Sequence, residues 1–203
     1  EIAIALLSVP GIHIKKEDFE QFHRIKGRSL VSYLIGKMPH YNIIAPLNSG
    51  SASFLSGLKQ TLETLLAVTD SATGEYIFTL HDQDDSGKTP LHYAAIRGYL
   101  DENGQPAIVD FLCKQHQGDA GAFMNAKDYQ YDVGVKKDHK TALMYAAEYG
   151  RTDTVNYLVR HGSDINTIDA MGQTALMLAV QKGHTAVVTL LRDRGAFERA
   201  VHS

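Results

Sequence analysis

The fold is decided by residues 87–98, which read GKTPLHYAAIRG. Two later stretches repeat this pattern: residues 140–150 read KTALMYAAEYG, and residues 172–183 read GQTALMLAVQKG. In the second and third copies, Thr141 and Thr174 lie 33 residues apart. A fixed period of this length predicts stacked copies of one supersecondary unit, because each unit can bury its apolar face only against its neighbours.

Each copy is expected to form a pair of helices. A threonine stands where the first helix begins, and its hydroxyl suits a helix cap. A glycine stands where that helix ends, in the left-handed conformation that costs glycine little. The threonines are Thr89, Thr141 and Thr174, and the glycines are Gly98, Gly150 and Gly183. The second helices share one apolar pattern, which recurs at residues 108–112, 154–158 and 187–191.

The first two copies are separated by more than one period. Thr89 and Thr141 are 52 residues apart, an excess of 19. We assign about six of the extra residues to 99–106, about five to 116–123 and about eight to 129–139, since insertions in repeat proteins fall in loops. The repeat itself is therefore expected to survive with enlarged loops.

The period and the pattern together resemble the ankyrin-repeat family. The resemblance implies an all-α fold: a solenoid of stacked helix-turn-helix pairs with extended loop insertions, in a single array. Its expected divisions are a partial repeat at 1–18, a degenerate repeat with long insertions at 19–83, repeats at 84–127 and 128–168, and a terminal repeat at 169–203. The apolar residues near both ends predict a fragment of a longer protein, with more chain before Glu1 and room for more after Ser203.

The region 19–83 matches the repeat pattern least well. Its second helix is expected to end at residues 62–66, after a long connection at residues 40–52. Residues 76–80 read YIFTL, a β-prone run that could extend a finger from the stack. The alternative is that residues 19–83 form a helical insert that is no longer a repeat.

Composition excludes several classes of protein. Of the 203 residues 44% are hydrophobic and 21% charged, which argues against a disordered tail or a membrane bundle. The net charge is −3 with no basic stripe, so no nucleic-acid partner is expected. The longest apolar stretch, residues 2–14, is shorter than the about 20 residues of a membrane span. The single cysteine, Cys113, excludes an internal disulfide framework and fits a reducing compartment, so the chain is expected in the cytoplasm. It is also expected to be a monomer.

No arrangement of residues predicts catalysis or metal binding. Gly87-Lys88-Thr89 lacks the glycine that a phosphate-binding loop needs five residues earlier, where Asp82 stands. Residues 82–87 resemble the start of a calcium loop, but its bidentate glutamate would fall at Tyr93. Cys113 is expected to be a half-buried apolar residue of a second helix, and the histidines show no metal spacing. We therefore expect no catalytic residue, no metal and no cofactor.

The family resemblance implies recognition of another protein through the loop tips and the concave face of the first helices. Carried over position by position, the recognition residues are Lys88, Ile96, Arg97, Glu148, Tyr149, Met171, Gln173, Gln181 and Lys182. Tyrosines at or beside the enlarged loops extend this surface, since tyrosine is enriched at binding hot spots; they are Tyr99, Tyr129 and Tyr131, with Tyr149. Their alternative role is to pin the long loops to the core. The alternative function is a targeting or substrate-recruiting module of a multidomain enzyme whose catalytic domain lies outside this chain.

Asn166 is a candidate for modification. Its spacing from Leu158, after Asp164 and Ile165, resembles the site at which an asparaginyl hydroxylase of animal cells modifies ankyrin repeats. The alternative is that Asn166 only holds the turn by hydrogen bonding. Degenerate repeats with long insertions also resemble ankyrin proteins that intracellular bacteria secrete into host cells, as well as divergent eukaryotic members. This second resemblance favours a secreted effector that acts in the host cytosol.

Overall fold

The computed structural model describes residues 32, 35–36, 49–67, 79–84, 86–128, 130–132, 135–137 and 139–197. Within them the helices are α1 (Ser49–Leu66), α2 (Pro90–Arg97), α3 (Ala107–Gln115), α4 (Ala120–Met124), α5 (Ala142–Glu148), α6 (Thr152–Arg160), α7 (Ala175–Lys182) and α8 (Thr185–Asp193). The strands are β1 (Gln130–Asp132) and β2 (Val135–Lys137). This helical repeat architecture confirms the predicted all-α fold, and none of the described helices is long and apolar enough to cross a membrane.

Three helix pairs stack side by side along the chain: α2 with α3, α5 with α6, and α7 with α8. The first helices pack in series, α2 against α5 and α5 against α7. Their apolar faces form one continuous core in which Leu91, Leu143 and Leu176 occupy the same position of each pair. Because the core continues from one pair to the next, an isolated helix pair would leave an apolar face uncovered and would not be stable.

All three first helices begin directly after the predicted threonine, and the predicted glycine follows within two residues of each helix end. The Thr89 hydroxyl lies 2.8 Å from His92 Nδ1. The Thr141 and Thr174 hydroxyls accept hydrogen bonds from the backbone N–H groups of Met144 and Met177, which would otherwise lack partners in the first turn. The closing glycines all have positive φ, at 62° for Gly98, 67° for Gly150 and 76° for Gly183. The three predicted second helices are α3, α6 and α8.

The three predicted insertions all lie between helices. Residues 99–106 form a turn closed by pairing of Leu100 with Pro106, in which the Asp101 side chain accepts two backbone hydrogen bonds. The second insertion contains the short helix α4, which Asp119 caps. The third carries the antiparallel pair β1–β2, with Tyr131 opposite Lys136. The extra residues therefore enlarge the loops without displacing the helices.

The structure corrects the sequence prediction at two places in the region 19–83, residues 49–52 and residues 79–80. Residues 49–52 were assigned to the connection at 40–52, but α1 already begins at Ser49 and runs for 18 residues. The reason is a buried stripe at helical spacing that starts before the 62–66 motif and comprises Leu55, Leu58, Leu62 and Leu65. The division at 1–18 and the start of the degenerate copy lie outside the described residues.

The second correction concerns the β-prone run at 76–80. Residues 76–78 lie outside the described residues, and Thr79 and Leu80 form a turn rather than a strand. Thr79 donates from both its backbone N–H and its hydroxyl to the Asp82 carboxylate, at 2.8 and 2.7 Å. A side chain that binds the local backbone in this way competes with strand pairing.

Candidate partner-binding surface

The loop tip of each repeat is organised by one aspartate. Oδ1 of Asp84 accepts hydrogen bonds from the backbone N–H groups of Ser86 and Lys88, and Oδ1 of Asp169 does the same for Met171 and Gln173. In the middle repeat, Asp128 spans the inserted hairpin to accept from Lys140 N–H at 2.6 Å. These bonds order the three loop tips.

Two tyrosines tie the tips to the first helices. The Tyr93 hydroxyl donates to Asp84 Oδ2, and the Tyr145 hydroxyl donates to Asp128 Oδ2 at 2.6 Å. Burial, followed by the bond to Asp84, raises the pKa of Tyr93 to about 12. Burial by itself would raise the pKa of Asp84, but the hydrogen bonds from Tyr93, Ser86 and Lys88 outweigh it and lower that pKa.

A ladder of charged residues crosses the repeats beside these tips. Lys88 lies 3.7 Å from Asp128, while Glu148 holds Lys140 at 2.8 Å and Lys182 at 3.6 Å. Lys88 and Lys140 also lie 5.3 and 5.6 Å from the centre of the Tyr145 ring, within cation–π distance. The charges of the predicted recognition residues Lys88 and Glu148 are therefore already neutralised within the chain.

The structure exposes some of the predicted recognition residues and half-buries others. Met171 is 78% exposed and Tyr149 is 50% exposed. Gln181 and Lys182 are also exposed, and Lys182 holds the repeat position of Tyr149. The half-buried ones are Lys88, Ile96, Arg97, Glu148 and Gln173. Arg97 is engaged by the chain itself, because its guanidinium donates to the carbonyl oxygen of Gly36.

Tyr99 was wrongly predicted to be part of the exposed surface. It is 4% exposed, its ring centre lies 6.2 Å from that of Phe54, and its hydroxyl donates to the Ile35 carbonyl at 3.4 Å. Burial accordingly raises its pKa. The ring closes the gap between the first insertion and α1, so the alternative role of pinning a loop applies at this position. Tyr129 lies outside the described residues, and for Tyr131 only the backbone in β1 is described.

One set of hydrogen bonds between repeats was not predicted from the sequence. The side chains that follow the helix-closing glycines reach back to the preceding repeat: Arg151 donates to the Ile96 carbonyl, and His184 donates to the Glu148 carbonyl, both at 2.9 Å. The signal available in the sequence was a polar side chain directly after Gly150 and Gly183. These bonds hold the first helices in register, which fixes the spacing of the exposed side chains.

A second set of hydrogen bonds between repeats is accepted by the asparagines that stand three residues before a tip aspartate. Asn125 Oδ1 accepts from Asp164 N–H at 2.8 Å, and Asn166 Oδ1 accepts from Phe197 N–H at 3.0 Å. The carbonyl group of Asn166 thus ties the last turn to the repeat before it.

The buried histidine and the cysteine have structural roles. The Thr89 backbone N–H donates to Nδ1 of His92, so the ring proton is on Nε2, which donates to the Lys140 carbonyl at 3.1 Å. Burial lowers the pKa of His92 to about 4. Burial, with Asp110 nearby, raises the pKa of the Cys113 thiol to about 12, so the reactive thiolate is suppressed. Among the described residues no three acidic, histidine or cysteine side chains are grouped to hold a metal ion.

Comparison with known proteins agrees with this geometry. A family model described as "Ankyrin repeats (3 copies)" matches residues 102–200. The chain is 35% identical over 126 residues to the human transient receptor potential cation channel subfamily A member 1, which covers 60% of this chain and 10% of that protein. It is 31% identical to the mouse 60 kDa lysophospholipase, over 71% of this chain and 24% of that protein.

A bacterial relative gives the same result. A putative ankyrin repeat-containing protein of Treponema pallidum is 31% identical over 47% of this chain and 32% of its own length. The chain thus spans less than a third of the human and mouse proteins and about a third of the bacterial one. The three stacked helix pairs, the capped first helices, the left-handed glycines and the matched residues identify the chain as a member of the ankyrin-repeat family.

Proposed function

We propose that this chain is a non-catalytic scaffold that recognises another protein through its loop tips and the exposed side of its first helices. Repeats of this family generally mediate protein–protein interaction. The observation that carries the proposal is the exposure of Tyr149, Met171, Gln181 and Lys182 on a frame whose repeats are locked together by hydrogen bonds. A backbone frame that is already ordered before binding loses little conformational entropy on association.

The charge pattern bears on the kind of partner. Lys88 is paired with Asp128, and Glu148 is paired with Lys140 and Lys182. A strongly charged partner would have to displace these pairs, whereas a partner with apolar and hydrogen-bonding groups would not. We therefore propose a protein partner of mixed polarity, bound by a monomer in the cytoplasm.

The experiment compares two variants, each with three substitutions to alanine. Y149A/M171A/Q181A removes the exposed side chains, and D153A/R160A/T189A changes exposed residues of the second helices as a matched control. A partner is isolated from lysate with the wild type, identified, and its Kd is measured against all three proteins. We expect the first variant to bind at least about tenfold more weakly, since a few residues dominate interface energy, and the control to bind as the wild type does. Equal binding by both variants, with unchanged melting temperatures, would move the site elsewhere.

A second candidate function is the recruiting module of a multidomain enzyme. The similarity to the mouse 60 kDa lysophospholipase, of which this chain covers 24%, favours it. The reading frame on either side of the chain distinguishes the candidates, since a catalytic domain encoded there would support the second and its absence the first.

Asn166 is also proposed as a hydroxylation site. Its position relative to Leu158 supports this, although its Oδ1 is engaged by Phe197 N–H. Mass spectrometry of the protein from animal cells should show one added oxygen atom on the peptide with Asn166, and none after N166A. An unmodified peptide would leave Asn166 with its structural role.

A further inference from the structure

One buried carboxylate oxygen in the terminal repeat has no partner among the described residues. Asp169 is 6% exposed, and its Oδ1 accepts from Met171 and Gln173 N–H at 2.8 Å each. Its Oδ2 is buried, and no described donor reaches it. Burying a charged oxygen without a hydrogen bond is unfavourable, so an unsatisfied acceptor of this kind points to a donor from outside the chain.

The two preceding repeats show which donor the position takes. Tyr93 donates to Asp84 Oδ2, and Tyr145 donates to Asp128 Oδ2. Each tyrosine stands four residues after the threonine that opens its first helix, and the same position in the terminal repeat is Leu178. Leucine has no donor, so the terminal repeat keeps the acceptor and lacks the phenol.

No lysine replaces the missing phenol. Asp128 has Lys88 of the preceding repeat at 3.7 Å, in addition to its tyrosine. The residue of the middle repeat that corresponds to Lys88 is Lys140, and it is held by Glu148 at 2.8 Å. Asp169 therefore lacks both of the partners that Asp128 has, a tyrosine hydroxyl and a lysine ammonium group.

Two exposed apolar residues, Ile168 and Met171, flank Asp169 in sequence, and Lys127 Nζ donates to the Ile168 backbone carbonyl at 2.9 Å. Ile168 precedes Asp169 and is 36% exposed, and Met171 follows it as the most exposed large apolar residue of the described chain. The residues that correspond to Ile168 in the other repeats are Gln83 and Lys127. Exposed apolar residues beside a buried acceptor fit a side chain with an apolar body and a donor at its end, which is the character of tyrosine.

We propose that Asp169 Oδ2 accepts a hydrogen bond from a tyrosine of the partner protein, whose ring lies against Ile168 and Met171. Leu178 holds the repeat position of Tyr93 and Tyr145 and is 2% exposed, so the partner's phenol reaches the buried oxygen only when side chains of the tip move aside. This inference rests on the proposed protein-binding function, and it names the partner's side chain and the acceptor that receives it.

The test uses a small probe, so it does not depend on the partner being known. N-acetyltyrosinamide is titrated into the wild-type protein while NMR follows the amide signals of Met171 and Gln173, which donate to the same carboxylate. N-acetylphenylalaninamide is the matched probe that lacks only the hydroxyl. Three variants accompany the wild type: D169N, which keeps the turn acceptor and replaces Oδ2 with an NH₂ group; L178Y, which supplies a phenol from the chain; and L178F, which adds the ring without the hydroxyl.

We expect saturable shifts with a Kd on the order of 1 mM for the tyrosine probe, and binding about tenfold weaker for the phenylalanine probe. D169N and L178Y should lose the preference for tyrosine, and L178F should keep it. No shift in the wild type, equal binding of the two probes, or an unchanged preference in D169N would overturn the proposal. The proposed partner surface is tested separately, by the Kd that the Y149A/M171A/Q181A variant shows for the isolated partner.

Discussion

The middle repeat and the terminal repeat share one frame and differ in what covers them. Both first helices begin after a capping threonine, both are followed within two residues by a left-handed glycine, and both tips are ordered by an aspartate. Yet Ala147 is completely buried, whereas Val180 at the same position of the terminal repeat is 52% exposed. The helices are therefore set by local sequence, while the burial and the polar pairing of each position depend on the neighbouring repeat.

The largest effect is expected from acidification, at a position where the repeats differ. His92 is buried and neutral, whereas the same position holds Met144 in the middle repeat and Met177 in the terminal one. Burial lowers the pKa of His92 from 6.5 to about 4. The unfolded chain binds the proton first as the pH falls, so the contribution of His92 is complete above pH 6.5 and is lost towards pH 4.

The expected loss in free energy of unfolding is about 3 kcal/mol over that interval. Urea unfolding between pH 7 and pH 4 measures it. H92M is the control, because it places the residue of the other repeats at the same position and should flatten the pH dependence. An equally steep dependence in H92M would show that other groups are responsible.

The closing glycines should distinguish an inner repeat from the terminal one. A Cβ at Gly150 (φ 67°) would lie 2.7 Å from His184 Nδ1, and the His184 ring bonds to the Glu148 carbonyl. At Gly183 (φ 76°) no described atom lies within 4 Å of that point. G183A should cost about 1 kcal/mol from backbone strain, and G150A about 2–3 kcal/mol, because it also disturbs the His184 bond. Equal losses in thermal unfolding would contradict this reading.

The alanine and valine at the stacking position provide the next test. A147V places the larger side chain of the terminal repeat in the inner one, where it has no room, and should destabilise the protein by about 2 kcal/mol. V180A removes atoms that are half in solvent and should change stability by less than about 0.5 kcal/mol. Denaturant unfolding of the two variants measures the difference. If both changes are neutral, the contact between α5 and α7 is looser than described.

The smallest effect is expected at the tyrosine that the terminal repeat lacks. Y145F removes the hydroxyl that donates to buried Asp128 and should cost about 1 kcal/mol, with Lys88 3.7 Å away still present. L178Y gives the same hydroxyl to Asp169 and should raise stability by about 1 kcal/mol relative to L178F. Calorimetry of L178Y and L178F measures the difference in their stability. No difference would mean that the phenol does not reach Asp169 Oδ2.

Much of the fold and a smaller part of the candidate surface could be predicted. Thr141, Thr174 and the closing glycines report bonds within one turn of helix, so their pattern was sufficient. Tyr99 was misplaced because its burial depends on Phe54 and Ile35, far away in sequence. Whether a side chain beside a loop is exposed depends on tertiary contacts, and the repeat spacing in the sequence does not predict it.

The sequence by itself determined the repeat, its helix boundaries and the location of its insertions. Capping, helix-closing glycines and apolar periodicity act over a few residues, and each recurs three times from Thr89 to Gly183. Only the tertiary structure decided the burial of Tyr99, the neutralised charge ladder and the unpartnered oxygen of Asp169. Each of these depends on which atoms of another repeat lie within a few ångströms, and that distance is set by stacking.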